Sequence, residues 1–281
     1  MDIAHTLEDL QNFLGTAKNQ KQSVAFVPTM GALHAGHMAL VSEAQKHADY
    51  VVASIFVNPT QFGPSEDLAV YPRTWDADCL KLQEAGISCL WAPSDVVMYP
   101  DGQVTDTQAG SLGDILEGEF RPGFFDGVTT VVRKLFDQVK PDRALFGEKD
   151  YQQLCVIQNM VKEYNLPIEV IGVPTERDEN GLALSSRNAY LSDKEYEIAC
   201  HLNKTLFAMA DKVQAGEPIK DTEAWGKKAL IEAGFTKMDY CTVRDTQTLL
   251  EPTRDQSLRI LAAVWLGKTR LIDNVDIVLE E

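Results

Sequence analysis

Two histidines, His34 and His37, stand three residues apart in a segment whose residue types suit phosphate chemistry. The segment opens with the apolar residues 24–27, which predict a buried strand. It continues through a turn at Gly31 and changes to helical spacing at Gly36. A strand, a turn and a helix start together present backbone N–H groups and the positive end of a helix dipole to an anion. Because residues i and i+3 share one helix face, both imidazoles can point at the same phosphate group.

The histidine spacing alone leaves two other interpretations open. The pair fits equally well two surface histidines at the start of a helix, since short motifs often match by chance. A zinc site is less favoured, because the sequence has neither a His-Glu-x-x-His pattern nor a Cys-x-x-Cys pair. Other segments of the chain must decide between these interpretations.

The composition is that of an ordinary globular protein, with 44% hydrophobic and 24% charged residues among 281. That length allows one large domain or two. The formal net charge of −16 argues against a nucleic-acid partner, which needs a basic surface. No apolar run is long enough to span a membrane, and the first residues lack the pattern of a secretory signal. Five scattered cysteines suggest reduced thiols, so we expect a cytoplasmic protein.

Predicted strands and helices alternate along the first part of the chain, which is typical of an α/β fold with a parallel sheet. We therefore expect a Rossmann-like, doubly wound parallel sheet. The predicted strands are 24–27, 50–57, 87–91, 144–146 and 168–173. The predicted helices are 6–18, 76–85 and 128–139, in addition to the helix that follows His37. Residues 104–127 are rich in turn formers and predict an excursion over the face of the site.

The pattern changes after residue 173. Helices are predicted near 193–214 and 222–233, and the tail reads as short strands. We expect a smaller α+β C-terminal domain. The predicted domains are residues 1–175, a nucleotide-binding catalytic domain, and residues 176–281, a lid.

Three turns each follow a predicted strand directly: residues 29–37, 58–61 and 147–150. In parallel sheets ligands bind outside the carboxyl ends of the strands, so these turns should gather at one edge. Lys149 and the backbone amides of the third turn suit phosphate contact. The alternative is a solvated helix cap with Asp150 as the N-cap residue.

Two further groups of polar side chains suit small anionic substrates. Residues 184–187 combine two hydroxyls with Arg187, and such groups bind phosphoryl oxygens. Gln61 and Gln153 are neutral amides that can bind a hydroxy acid through paired hydrogen bonds. Taken singly, the first group fits an ordinary polar turn, and each glutamine fits an exposed surface position.

Several motifs occur in order along almost the whole chain and resemble the pantothenate synthetase (pantoate–β-alanine ligase) family of the class I nucleotidyltransferase superfamily. They are Pro-Thr-Met-Gly-Ala-Leu-His-Ala-Gly-His at 28–37, Asn-Pro-Thr-Gln-Phe at 58–62, Tyr-Pro-Arg at 71–73, Gly-Glu-Lys-Asp-Tyr-Gln-Gln-Leu at 147–154, Leu-Ala-Leu-Ser-Ser-Arg-Asn at 182–188 and Thr-Arg-Leu-Ile-Asp-Asn at 269–274.

This resemblance implies a two-step ligase that uses ATP and Mg²⁺. The carboxylate of (R)-pantoate would attack the α-phosphate of ATP and give an enzyme-bound pantoyl adenylate and diphosphate. The amine of β-alanine would then attack the acyl carbon and release pantothenate and AMP, a step in coenzyme A biosynthesis. The resemblance also implies a homodimer.

The resemblance further implies roles for individual residues. The catalytic residues would be His37 as proton donor, His34, Lys149 and Arg187. ATP would be bound by Met30, Gly31, Ala32, Leu33, His34, Ala35, Gly36, His37, Gly147, Glu148, Lys149, Asp150, Glu176, Leu184, Ser185, Ser186 and Arg187. Gln61 and Gln153 would hold pantoate, and Gln61 would also serve β-alanine. We add Asp78, near the start of the helix predicted over 76–85, as a candidate metal ligand.

The sequence departs from the family pattern at one position, where Phe124 stands in place of an expected histidine. Any catalytic or ligand role at that position is therefore in doubt. Three rival functions are an adenylyltransferase with a phosphorylated acceptor, an aminoacyl-tRNA synthetase core and a non-catalytic nucleotide sensor. The neutral Gln61 and Gln153 disfavour the first, the charge of −16 disfavours the second, and the two imidazoles disfavour the third.

Overall fold

The chain forms two compact units. The computed structural model describes residues 1–63, 66–253 and 257–278. One unit comprises Met1–Glu148 and Gln153–Pro174, and the other comprises Lys149–Gln152 and Thr175–Glu281. The predicted domains, 1–175 and 176–281, stay a prediction, and this division differs from them chiefly in assigning four residues near 150 to the second unit.

A six-stranded parallel sheet forms the centre of the first unit, which confirms the predicted α/β class. The strand order β1-β4-β3-β2-β5-β6 runs outward in both directions from β2, as in doubly wound folds. The strands are β1 (Asp2–Ala4), β2 (Val24–Thr29), β3 (Tyr50–Ile55), β4 (Cys89–Trp91), β5 (Arg143–Gly147) and β6 (Glu169–Val173).

Helices join these strands: α1 (Leu7–Asn19), α2 (Ala35–His47), α3 (Trp75–Glu84), α4 (Asp95–Met98), α5 (Glu117–Phe120), α6 (Phe124–Val139) and α7 (Tyr151–Glu163). Alternate residues of β2 face opposite sides of the sheet. Ala25 and Val27 belong to a buried cluster with Val41 of α2. Phe26 instead meets Phe136 of α6 edge to face, with ring centroids 6.3 Å apart. The sheet is therefore covered on both faces.

Two parts of the first unit differ from the sequence prediction. The edge strand β1 was not predicted, because three residues are too few to show a period. Residues 104–127 are not a plain excursion, since they contain α5, a 3₁₀ helix (Ser111–Gly113) and the first turn of α6. Helix α6 begins four residues earlier than predicted, because Gly123 in the left-handed region (φ 79°) redirects the chain just before it.

The second unit packs two helices, α8 (Asp193–Gln214) and α9 (Ile219–Ala233), with a three-stranded antiparallel sheet. The strands β7 (Lys237–Asp245), β8 (Leu258–Leu266) and β9 (Thr269–Ile277) are longer than the short strands predicted. Their apolar side chains share one buried cluster with α8, which includes Leu206, Met209 and Ile260. No helix in the described ranges combines the length and apolar character needed to cross a membrane.

Candidate active site

The turn between β2 and α2 is held by one buried carboxylate. Gly31 (φ 81°) and Ala32 (φ 49°) both adopt the left-handed region, which turns successive N–H groups to the same side. Asp78, only 1% exposed, accepts hydrogen bonds from the N–H groups of Ala32 and Leu33, both at 2.8 Å. It also accepts one from the Thr74 hydroxyl at 3.0 Å. Asp78 therefore fixes the shape of the histidine turn.

The two imidazoles cap the helix that they precede. His34 is the N-cap residue of α2, and its Nδ1 accepts from the N–H of Gly36 at 3.2 Å. The Nδ1 of His37 accepts from the N–H of His34 at 3.3 Å. A backbone N–H can only donate, so both Nδ1 atoms are acceptors and each neutral ring carries its proton on Nε2. The ring centroids lie 4.1 Å apart. Both rings thus offer an Nε2–H donor, which suits an anion.

The turn after β3 meets the histidine turn. Gln61 lies in a 3₁₀ helix (Pro59–Gln61), and its Nε2 lies 3.0 Å from Sδ of Met30. The carboxyl ends of β3, β2 and β5 are neighbours at one edge of the sheet. Gly147, the last residue of β5, therefore lies at that edge too. The structure thus brings together the predicted residues Met30 and Gln61.

A cavity of about 710 Å³ opens beside this turn. Its wall includes Met30, Gly31 and Asp78, together with His5, Arg73 and Trp75. A cleft of this size, with both apolar and polar side chains in its wall, is typical of small-molecule sites. Trp75, which is 39% exposed, contributes an indole ring to this wall.

A resident magnesium site receives limited support from the side chains. Within residues 1–63, 66–253 and 257–278, no three His, Cys, Asp or Glu side chains gather in a metal-binding group. Asp78 lines the cavity, but three of its roughly four lone-pair positions already accept hydrogen bonds. One lone-pair position of the Asp78 carboxylate is left for a metal ion. That arrangement fits a magnesium ion held mainly by substrate phosphates and water, with Asp78 as a single protein ligand.

Lys149 lies in the short segment, residues 149–152, that belongs to the second unit. The carbonyl oxygen of Lys149 accepts a hydrogen bond from Nδ2 of Asn274 in β9 at 3.0 Å. The guanidinium of Arg259 in β8 stacks on the ring of Tyr151 at 3.8 Å, and the Tyr151 hydroxyl donates to the carbonyl of Thr246 at 3.0 Å. The backbone around Lys149 is therefore fixed by groups that lie far along the chain. Asp150 lies 3.7 Å from the Lys149 ammonium.

The other predicted ATP contacts of the second unit lie on a small hairpin and the helix after it. The N–H of Leu184 donates to the carbonyl of Glu176 at 2.9 Å, which places these two residues side by side. Ser185 then caps a 3₁₀ helix (Ser186–Tyr190) by accepting from the N–H of Arg187 at 3.3 Å. This cap gives Ser186 and Arg187 a defined backbone.

The remaining predicted positions lie in the first unit. Glu148 packs beside Gly172, where an added Cβ would lie 3.2 Å from its Oε1. Gln153 is half-buried near the start of α7.

Phe124, where the family pattern led us to expect histidine, supports a neighbouring arginine. The guanidinium of Arg121 lies over its ring at 3.6 Å. Arg121 also forms a paired hydrogen bond with Glu66, at 2.7 and 2.6 Å, and donates to the carbonyl of Gln61 at 3.3 Å. Position 124 therefore has an aromatic packing role beside the Gln61 turn. The sequence does not predict this supporting role of Arg121, because no pattern of neighbouring residues marks it.

The parallel sheet defines the class first: this is a Rossmann-like α/β protein. Two imidazoles lie at a helix start on the carboxyl edge of its sheet.

The family follows from comparison with known proteins. A sequence model of the family described as "Pantoate-beta-alanine ligase" matches residues 2–276. A pantothenate synthetase of Pseudomonas savastanoi pv. phaseolicola is 48% identical over 279 residues, covering 98% of both chains. The crystal structure of a pantothenate synthetase from Thermus thermophilus superposes with a TM-score of 0.91 at 43% identity, covering 99% of each chain. A pantoate–β-alanine ligase from Francisella tularensis, crystallised with β-γ ATP and β-alanine, gives a TM-score of 0.81 at 34% identity, covering 98% of this chain and 97% of that one. The chain belongs to the pantoate–β-alanine ligase family.

Proposed function

We propose that the chain condenses (R)-pantoate with β-alanine at the expense of ATP, through an enzyme-bound pantoyl adenylate. Membership of the ligase family over residues 2–276 supports the overall reaction. The Francisella tularensis relative, whose complex holds β-γ ATP and β-alanine, supports the use of ATP and β-alanine as substrates. The single observation that favours the adenylate route is the pair of Nε2–H donors at the start of α2.

In the first step a carboxylate oxygen of pantoate attacks the α-phosphorus of ATP. A bond forms between that oxygen and phosphorus, the bond from phosphorus to the bridging oxygen breaks, and diphosphate leaves with the electron pair. The Nε2–H groups of His34 and His37 donate to the oxygens on which negative charge grows. Donors fixed before the reaction stabilise such charge without the cost of reorganisation.

In the second step the amine of β-alanine attacks the acyl carbon of the adenylate. The new carbon–nitrogen bond replaces the bond to the phosphate oxygen, AMP leaves, and the nitrogen loses a proton. Gln61 and Gln153 hold pantoate through their amides, and Gln61 also serves β-alanine. Lys149, Ser185, Ser186 and Arg187 bind phosphate oxygens, and the Glu176 backbone contacts adenine.

Magnesium enters this proposal as an ion bound to ATP. When bound, it neutralises phosphate charge. Asp78 is the residue that would contribute a ligand, and its hydrogen bonds to the histidine turn leave it one position to do so. The family resemblance also supports a homodimer, and the scattered cysteines support a cytoplasmic location. We retain both as parts of the proposal.

The adenylate mechanism is tested by isotope exchange. With pantoate and Mg²⁺ but no β-alanine, labelled diphosphate should enter ATP, because the first step is complete and reversible before the amine arrives. AMP should accumulate only when β-alanine is added.

The rival functions give different results in the same assay. An adenylyltransferase for a phosphorylated acceptor shows no exchange with pantoate, and a nucleotide sensor shows neither exchange nor AMP formation. Release of ADP in place of AMP would indicate a ligase that phosphorylates its acid. Absence of pantoate-dependent exchange in protein that still makes pantothenate would overturn the adenylate route.

A further inference from the structure

A buried amide, Asn58, lies directly behind the Gln61 side chain. Its side chain is 0% exposed, and its Nδ2 donates to the carbonyl oxygen of Gly127 at 3.1 Å. Its Oδ1 accepts from the N–H of Thr60 at 3.4 Å. A carbonyl can only accept and a backbone N–H can only donate, so these partners fix which end of the Asn58 amide is oxygen and which is nitrogen.

This orientation determines which end of Gln61 faces a substrate. Nδ2 of Asn58 also donates to Oε1 of Gln61 at 3.2 Å. The carbonyl end of Gln61 is thus turned toward Asn58, and its NH₂ end is turned toward Met30, whose Sδ is a weak acceptor. The NH₂ end of Gln61 therefore lies on the side of Met30, which is itself a residue of the cavity wall.

The hydroxyl of Tyr99 stands at the start of this chain of hydrogen bonds. It donates to Oδ1 of Asn58 at 2.6 Å, the shortest contact that Asn58 makes among the described residues. Tyr99 is 5% exposed, and its ring packs against Phe56 with centroids 6.2 Å apart. Burial raises the pKa of Tyr99, so the hydroxyl keeps its proton over the working pH range and remains a donor.

We propose that Tyr99 is a positioning residue for substrate recognition, acting through Asn58 to hold Gln61 with its NH₂ group toward the substrate. The donors then run in one direction, from Tyr99 to Asn58 to Gln61. This end of the site recognises an oxygen that accepts, such as the hydroxyl or carboxylate oxygen of a hydroxy acid. The inference rests on the proposed role of Gln61 in holding pantoate.

Tyr99→Phe removes the hydroxyl and keeps the ring. In the diphosphate exchange assay we expect the KM for pantoate to rise about fivefold to tenfold, as for the loss of one buried hydrogen bond, with the KM for ATP unchanged. Tyr50→Phe is the matched control, since Tyr50 is a half-buried tyrosine at the opposite end of β3 from this turn. It should leave both constants unchanged. Thermal unfolding of each variant shows that the fold is retained.

A double-mutant cycle with Gln61→Ala shows whether Tyr99 acts by positioning Gln61 or by stabilising the fold around it. If Tyr99 acts through Gln61, Tyr99→Phe should have no further effect on the KM for pantoate once Gln61 is alanine. An equal effect in both backgrounds, or a larger change in the KM for ATP, would overturn the inference. If Gln61→Ala leaves the KM for pantoate unchanged while exchange continues, this inference fails and the adenylate mechanism stands. If the unmodified enzyme shows no exchange, the proposed mechanism itself fails.

Discussion

The imidazole of His34 occupies a helix position that Ser, Thr, Asp or Asn normally fills. His37 occupies the position three residues later, where Glu or Gln usually completes a capping box. In both rings the cap uses Nδ1, and that use places the proton on Nε2. The sequence predicts the spacing of the two rings, but the tautomer follows only from the backbone N–H groups that each ring meets.

Two substitutions of His37 separate its capping role from its chemistry. His37→Ala should lower kcat by about 10² to 10³, because a preorganised donor to the leaving group is lost. His37→Gln keeps a side chain that can accept from the N–H of His34, so it should restore thermal stability without restoring kcat. Steady-state kinetics and thermal unfolding of both variants measure the two effects. Full turnover by folded His37→Gln would mean that the cap, and not the imidazole, is what the reaction requires.

At the scale of elements, sequence patterns predict the alternating strands and helices well, because β2, β3 and β5 each contain an apolar run, at 24–28, 51–53 and 144–146. They miss β1, whose three residues pair only with β4. They also cannot predict the support behind Gln61. Asn58, Tyr99 and Gly127 are separated by tens of residues, and their association depends on how α6 packs against the turn after β3.

Gly127 allows that close packing. A Cβ at this position would lie 2.3 Å from the carbonyl oxygen of Thr60, which is far inside van der Waals contact. Gly127→Ala should therefore displace the Asn58 turn, lowering kcat/KM for pantoate by at least about tenfold and destabilising the protein by roughly 1–3 kcal/mol. Kinetics and denaturant unfolding measure both changes.

The control is another glycine within a helix. Gly15 of α1 has no atom within 4 Å of an added Cβ. Gly15→Ala should leave activity unchanged and stabilise the protein by up to about 1 kcal/mol. If both substitutions behave alike, close packing at Gly127 is not what supports the turn.

At the scale of the whole molecule, the chain passes from one unit to the other three times. It enters the second unit at Lys149, returns to the first at Gln153 and leaves again after Pro174. The short segment between the first two crossings contains the lysine proposed to bind phosphate. Its backbone is held by Asn274, and its Tyr151 ring is covered by Arg259.

Asn274→Asp tests whether this hold matters for ATP. The aspartate keeps an oxygen for Nη1 of Arg259, which Asn274 binds at 2.6 Å, but it replaces the donor to the Lys149 carbonyl with a second acceptor. We expect the KM for ATP to rise roughly tenfold, with the KM for pantoate much less affected. Asn12→Asp, on the exposed face of α1, adds the same charge and should change neither constant. An unaltered KM for ATP in Asn274→Asp would show that Lys149 keeps its position without this hydrogen bond.

The triple crossing also bears on how such enzymes can be recombined. In a chimera that takes residues 175–281 from a related enzyme, positions 259 and 274 come from that enzyme, whereas Tyr151 and Lys149 come from this chain. A single junction near residue 175 therefore splits pairs of side chains that recognise each other. A functional exchange must transplant residues 149–152 together with the C-terminal part, so the smallest interchangeable module of this protein is discontinuous in sequence.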